Sequence, residues 1–338
     1  MPFEEYRRFV SRSRSLVEPI YRSSIRKGHL MEKAIFYLVH YGLAVVLPAV
    51  SFLKKPVSML GLWLGTAFSI ATMAFLFLWG QWPLVGSYYA RYLPAALAAA
   101  MFVLALLRTR TKLPLWPPRI FGSVVVVVLG CSAGFVICFV VLAFAGRWHP
   151  ERGIDLQFPL KGGNYFISSG GSSRTINNHM RDFPNAQEFA IDIHKLGVLG
   201  GASSNIFSSS NEYHHIFGEP VYSPCAGTVR ESKKDVPDNA GTSMDVDAED
   251  GSGNHLSIVC DNAVVSLMHL QHGSVLLEQG ERVEAGQEVG KVGNSGFSQE
   301  PHLHLQAAVR NDAGRLVGIP MRFGDRSLAR NDISTSAN

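Results

Sequence analysis

Apolar residues change their rhythm once along the 338-residue chain. From residue 34 to 146 they form long runs with few charges. After Arg147 they alternate with polar residues in short segments punctuated by Gly, Asn, Asp and Pro. Crossing a hydrocarbon core as helix takes about 20 residues. Residues 58–80, 84–107 and 120–146 meet that length. Residues 34–53 are nearly as apolar but carry His40 and Pro48, which leaves spanning and lying in the interface both open. In the second half, GNHLSIVC, AVVSLMHL and PHLHLQAAV show the period-two alternation of half-buried strands, bounded by turn residues. No helical crossover pattern of a parallel sheet lies between them. The predicted architecture is a multi-span α-helical membrane region over residues 34–146, then an all-β domain of antiparallel sheet over 147–325. Residues 1–33 are expected to be a basic cytoplasmic segment. The tail, 326–338, has no apolar period and is expected to be disordered.

Charge adds an orientation. Arg7, Arg8, Arg12, Arg14, Arg22, Arg26, Lys27 and Lys33 crowd the first segment, and RTRTKLPLWPPR carries Arg108, Arg110, Lys112 and Arg119 without an acid. Lys and Arg mark the cytoplasmic side. If residues 34–53 do not fully cross, both basic stretches and Lys54 and Lys55 stay inside, and the last long run delivers residue 147 onward to the extracytoplasmic side. Four full crossings would leave the β domain in the cytoplasm. The first arrangement is preferred, giving a multi-pass protein of the cytoplasmic (inner) membrane with its β domain facing out, on the periplasmic side. The start lacks the features of a cleaved signal peptide. Arg91 lies near the end of a run, where snorkelling is the ordinary reading. The formal net charge of +4 is explained by the two basic stretches, so no nucleic acid is expected as a partner.

Three stretches carry candidate chemistry. In PHLHLQ, residues 301–306, His302 and His304 share one face of an extended chain and Leu303 and Leu305 the other. In SLMHL, His269 is expected on the face of Leu267, with Met268 and Leu270 opposite. In EFAIDIHK, Asp192 sits inside an apolar strand, where a carboxylate must be paired, hydrogen-bonded or bound to a cation. Histidine and carboxylate together form a zinc donor set. No H-E-x-x-H helix is present, which excludes the zincin arrangement. Asp245, Asp247 and Glu249 alternate as in a calcium loop, but Asp250 and Leu256 occupy the positions that need Gly and Glu, so a solvated hairpin loop is expected there. His214 and His215 read as loop residues, His255 as an exposed strand residue and His272 as a turn residue. Cys131 and Cys138 lie in the last apolar run. Cys225 and Cys260 lack the C-x-x-C spacing of a zinc knuckle.

The run from GEPVYSPCAGTV through GNHLSIV to LMHLQHGSVLLEQGERVEAGQEVGKVGNSGFSQEPHLHLQ resembles the M23 family of zinc metallopeptidases, of the lysostaphin type. The resemblance spans residues 154–323 and leaves out the membrane half. It implies a β-sheet groove enzyme that hydrolyses peptide bonds of peptidoglycan by attack of a zinc-activated water. It further implies that a histidine, Asp192 and His304 hold Zn2+, with His302 and His269 flanking the water and the developing oxyanion. The family's usual first ligand lies four residues before the aspartate, and Glu188 stands there. The stretch NNHMRDFPNAQEFAIDI resembles a branch in which an N-x-H precedes the aspartate segment, which points to His179, with Glu188 and His194 as lesser alternatives. The family's strand order also implies a Cys225–Cys260 disulfide. Expected partners are peptidoglycan peptide as substrate and the lipid bilayer through the N-terminal region. The rival reading is a non-catalytic module on the same fold that binds peptidoglycan or regulates another hydrolase. A third possibility gives the membrane half control over the peptidase.

Overall fold

The computed structural model describes residues 35, 37–53, 55–110, 112–148, 153–181, 186–205, 210–240 and 250–336. The basic segment 1–33, and Asp245, Asp247 and Glu249, lie outside the described residues. A π-helical turn, Leu38–Gly42, leads into α1 (Leu43–Leu53). Then come α2 (Met59–Trp79), α3 (Tyr92–Arg108) and α4 (Ile120–Ala145). Three helical segments are long and apolar enough to cross a bilayer, namely α2, α4 and Tyr88–Arg108, which contains α3. The expected start of the second long run is broken into 3-10 turns at Trp82–Val85 and Tyr88–Arg91. α4 is apolar on all sides and buries few residues, the pattern of a helix that faces lipid.

One end of the bundle is closed by the basic connection. Ser58 caps α2 by accepting from Gly61 N at 3.1 Å, and the Met59 and Leu60 amides donate to the carbonyls of Pro114 and Leu115. The other end carries the β domain. There His40 packs against Trp79 and Trp82, and Ala44 shares a cluster with Met73 and Leu76. Residues 37–53 therefore run alongside α2 from the domain end towards its first turn. The preferred sequence reading kept this run from crossing, so that both basic stretches share a side. The apolar helix within this run, Leu38–Val50, is shorter than the three that are long enough to cross.

The domain's strands are β1 (Ile154–Asp155), β2 (Gly163–Ser169), β3 (Ile191–Lys195), β4 (Pro220–Tyr222), β5 (Gly227–Lys233), β6 (Asn254–Cys260) and β7 (Ala263–Leu270). There follow β8 (Arg282–Val283), β9 (Glu288–Lys291), β10 (Leu303–Arg310), β11 (Leu316–Gly318), β12 (Met321–Arg322) and β13 (Ile333–Ser336). The main sheet has the order β13-β2-β3-β10-β7-β6-β5-β8, with β11 beside β10, and every pairing in it is antiparallel. Ile191, Ile193, Leu256, Ile258, Val265, Leu267, Leu303 and Leu305 build the core on one face, as the alternation requires. This is the expected all-β domain behind an apolar helical region.

The tail departs from expectation. Instead of being disordered, it places Ile333–Ser336 against β2, and Arg330 and Asn331 are buried between the domain and the bundle. Short polar segments acquire order when their backbone finds a sheet edge and their side chains find acceptors, neither of which is visible in composition. Cys225 and Cys260 are joined by a disulfide between the start of β5 and the end of β6, 35 residues apart. On the loop-closure account such a link contributes about 2–4 kcal/mol. Replacing both cysteines by alanine is expected to lower the domain's melting temperature by about 5–15 °C, measured by circular dichroism of the full chain in detergent. An unchanged melt would show that the link adds nothing.

Candidate metal centre

Strands β3, β10 and β7 lie side by side, and their register sets the site. His304 is opposite Asp192 on one side and Met268 on the other, while Leu305 is opposite Ile191 and Leu267 in the core. Asp192 and His304 therefore share the face away from the core. Asp192 Oδ1 is 3.0 Å from His304 Nδ1 and 3.6 Å from His302 Nε2, and Oδ2 is 2.9 Å from His179 Nε2. His179 arrives on the 3-10 turn Asn178–Arg181, held by the buried Asn177. The Asn177 Oδ1 accepts from His179 N at 3.0 Å, and its Nδ2 donates to the carbonyls of Gly171 at 2.9 Å and Glu188 at 3.0 Å. One amide thus ties the His179 turn to the strand entering Asp192.

The donor atoms of His179, Asp192 and His304 all lie within 4.8 Å of one another, the one such grouping found among the described residues. Neither alternative joins it. Glu188 meets Asn177 through its carbonyl, and His194 is buried with Nε2 3.0 Å from Ser168 Oγ and its ring stacked on His302. Two imidazoles and a carboxylate suit zinc. His304 directs its other nitrogen, Nε2, to Gln306 Oε1 at 3.1 Å, the outer contact that fixes tautomer and ring orientation in a metal-ligating histidine.

His269 reaches the same face by an irregularity. Between Leu256↔Leu267 and Asn254↔Leu270, three steps of β7 oppose two of β6, and His269 takes φ +61° at the bulge. Simple alternation put His269 on the face of Leu267. In the structure Leu267 and Leu270 both face the core, and His269 turns to His302 and His304, with ring centroids 4.9 and 5.8 Å away. His269 Nδ1 donates to the Ser295 carbonyl at 2.8 Å and His302 Nδ1 to the Glu300 carbonyl at 2.8 Å, so both rings present Nε2 to the groove side.

Electrostatics follow from this crowding. Burial alone would push the Asp192 carboxyl up, but the His179 charge, hydrogen bonds from His179 and His304 and the His302 charge hold it well below the usual carboxylate range. Burial, with the charges of His302 and His304, keeps His269 well below the ordinary imidazole value. Burial and the His302 charge bring His194 down to about 3. The neutral imidazole is the form that ligates metal or accepts a proton.

The other described histidines stand apart from the donor cluster. His272 is an exposed turn residue as expected, whereas His214 is buried. His255, expected to be exposed, is also buried, with Nδ1 2.8 Å from the Gly253 carbonyl and Nε2 3.4 Å from Glu231. Sequence reasoning missed Gln306 and Asn177 as supports. Gln306 had a signal, because it continues the His302–His304 face by one more step of two.

Residues 211–315 match the profile of Peptidase family M23, which covers His269, His302 and His304 and begins after His179 and Asp192. The chain is 30% identical over 89 residues to glycyl-glycine endopeptidase ALE-1 of Staphylococcus capitis, covering 26% of this chain and 25% of that one. It is 27% identical over 128 residues to lysostaphin of Staphylococcus simulans, covering 38% and 22%. The chain thus spans about a quarter of the length of these curated relatives. A zinc-containing peptidase from Vibrio cholerae superposes with TM-score 0.30 at 23% identity, over 50% of this chain and 39% of that one.

The depressed histidines give stability a direction with pH. Both titrate below the ordinary imidazole value in the folded chain, His194 at about 3, whereas the unfolded chain protonates them below about 6.5. The unfolded state then binds more protons, so their contribution is complete above 6.5 and is lost as pH falls towards the folded values. Asp192 adds a further loss from 3.8 downward. The melting temperature of the metal-stripped full chain in detergent is expected to fall steadily from about pH 6.5 to about pH 4.5, and less steeply in His194→Gln. A flat profile would contradict this.

Proposed function

We infer, from the Peptidase family M23 domain at residues 211–315 and the donor cluster at its edge, that the chain is a membrane-anchored zinc endopeptidase acting on peptide bonds of peptidoglycan. The observation that carries the reading is the convergence of His179, Asp192 and His304, from a turn and two strands, within 4.8 Å. Zinc held there supplies a Lewis acid that polarises the scissile carbonyl and lowers the pKa of water to about 7.

The chain's own groups supply the proton handling. Backbone carbonyls fix the Nδ1–H of His269 and of His302, which leaves two Nε2 atoms on one side of Asp192. In the neutral rings both Nε2 atoms are acceptors, so one can take the proton of the attacking water and, as the N–H donor it then becomes, pass it to the leaving amine. His194, stacked beneath His302, keeps that ring in place without joining the donor set. The relatives named above include a glycyl-glycine endopeptidase, which supports a short peptide crosslink as substrate.

Three apolar helical segments support the membrane anchor. The side is supported by two features. A disulfide belongs to an oxidising compartment. The basic connection, with Arg108, Arg110, Lys112 and Arg119, closes the end of the bundle opposite the domain. We place the domain on the extracytoplasmic side of the inner membrane.

Purified full chain in detergent is expected to hold about one zinc and to release new amino termini from purified peptidoglycan. Asp192→Ala and His304→Ala should lose both the metal and the activity. His269→Ala and His302→Ala should keep the zinc and lose about 10²–10⁴ in kcat. Folded wild type that holds no zinc and releases no termini would sink the proposal in favour of a binding module.

A further inference from the structure

The last four carbonyls of a helix have no partner within it. Those of α2 are all taken. Leu76 O accepts from Gly80 N and Trp82 Nε1, and Phe77 O accepts from Arg91 at 3.2 Å. Leu78 O accepts from Asn331 Nδ2 at 2.8 Å, and Trp79 O from Arg330 at 3.1 Å. The two outermost partners come from the tail of the β domain, 251 to 253 residues along the chain.

Arg330 does more than cap α2. Its side chain is 1% exposed. Nε donates to the Ile176 carbonyl at 2.8 Å, and Nη2 donates to Asn178 Oδ1 at 2.8 Å. Ile176 and Asn178 flank Asn177, the residue that fixes the His179 amide. Asn178 N is in turn bonded to Ser169 Oγ at 3.0 Å. The Arg330 carbonyl accepts from Arg147, just past α4, and Arg147 also pairs with Asp332. A single guanidinium therefore bonds the end of a membrane helix on one edge and the ligand turn on the others. Its planar fork is permanently charged and matches three acceptors that an ammonium cannot meet together.

We propose that Arg330 is a positioning residue for the metal centre, holding the His179 turn against the end of α2, so that the membrane bundle and the first ligand share one side chain. This rests on the reading of His179 as a metal ligand. The bundle is then part of what orders the site, and a displacement at the end of α2 reaches His179 through two hydrogen bonds.

The test measures zinc dissociation from the full chain in detergent, by competition with a chromophoric chelator, alongside hydrogen exchange of the metal-stripped chain. Arg330→Ala is expected to weaken zinc about 10–100-fold, the usual effect of losing an outer support. Arg330→Lys should recover part of that, and Asn178→Ala, which cuts only one link, should show a smaller loss. Asn331→Gly, which frees Leu78 O but leaves the turn alone, should bind as wild type. Amides of residues 176–180 should exchange faster in Arg330→Ala while those of β6, β7 and β10 do not change.

Wild-type affinity in Arg330→Ala, with affinity lost in His179→Ala, would overturn the proposal and leave the peptidase reading standing. Wild-type affinity in His179→Ala would remove the ligand reading and the proposal with it. Faster exchange throughout the sheet, or failure of Arg330→Ala to fold together with wild-type affinity in Asn178→Ala, would reduce Arg330 to a scaffold residue.

Discussion

A carboxylate set into an apolar strand organises the groove side of this domain. Asp192 stands between Ile191 and Ile193, which belong to the core, and its own side chain emerges on the opposite face with little access to water. An ionised carboxylate there is tolerable only with compensating charge and hydrogen bonds. Three imidazoles supply them, from a turn, from the residue before β10 and from β10 itself. Each of those residues is held from behind by a further polar contact: Asn177 at the His179 backbone amide, the Glu300 carbonyl at the His302 ring and Gln306 at the His304 ring. Asp192 and the groups around it thus form one connected polar network.

The same logic operates where the domain meets the helices. The end of α2 leaves carbonyls that apolar surroundings cannot solvate, and the protein answers them with Arg91, Arg330 and Asn331. Arg91 was read as a snorkelling side chain. It is instead buried, stacked over Phe77 with its guanidinium carbon 4.1 Å from the ring centroid, and bonded to the Asn331 carbonyl at 3.1 Å. Two arginines thus serve as fasteners between a helix end and a sheet edge, which makes the bundle and the domain one hydrogen-bonded unit at this seam.

Legibility in the sequence followed the length scale of each feature. Long apolar runs gave α2 and α4 within a residue or two, and period-two alternation gave β6, β7 and β10, because a single local pattern specifies each. The H-x-H pair and Asp192 were visible for the same reason, as polar residues interrupting an apolar rhythm. The face of His269 was not, since one bulge in β7 shifts every later residue and leaves no mark in composition. His255 and the tail were misread because their burial comes from partners distant in the chain: Glu231 for the one, β2 and α2 for the other. The disulfide and the choice of His179 over Glu188 came from family resemblance, since spacing alone does not tell which turn folds back over Asp192.

The central claim is that a turn histidine, a strand aspartate and a strand histidine form one metal centre. X-ray absorption at the zinc edge of the zinc-loaded full chain addresses it most directly. The account predicts a first shell of nitrogen and oxygen at about 2.0–2.2 Å without sulfur, with outer-ring scattering from two imidazoles in wild type and from one in His179→Ala. Two imidazoles retained in His179→Ala, or three in the wild type, would contradict it.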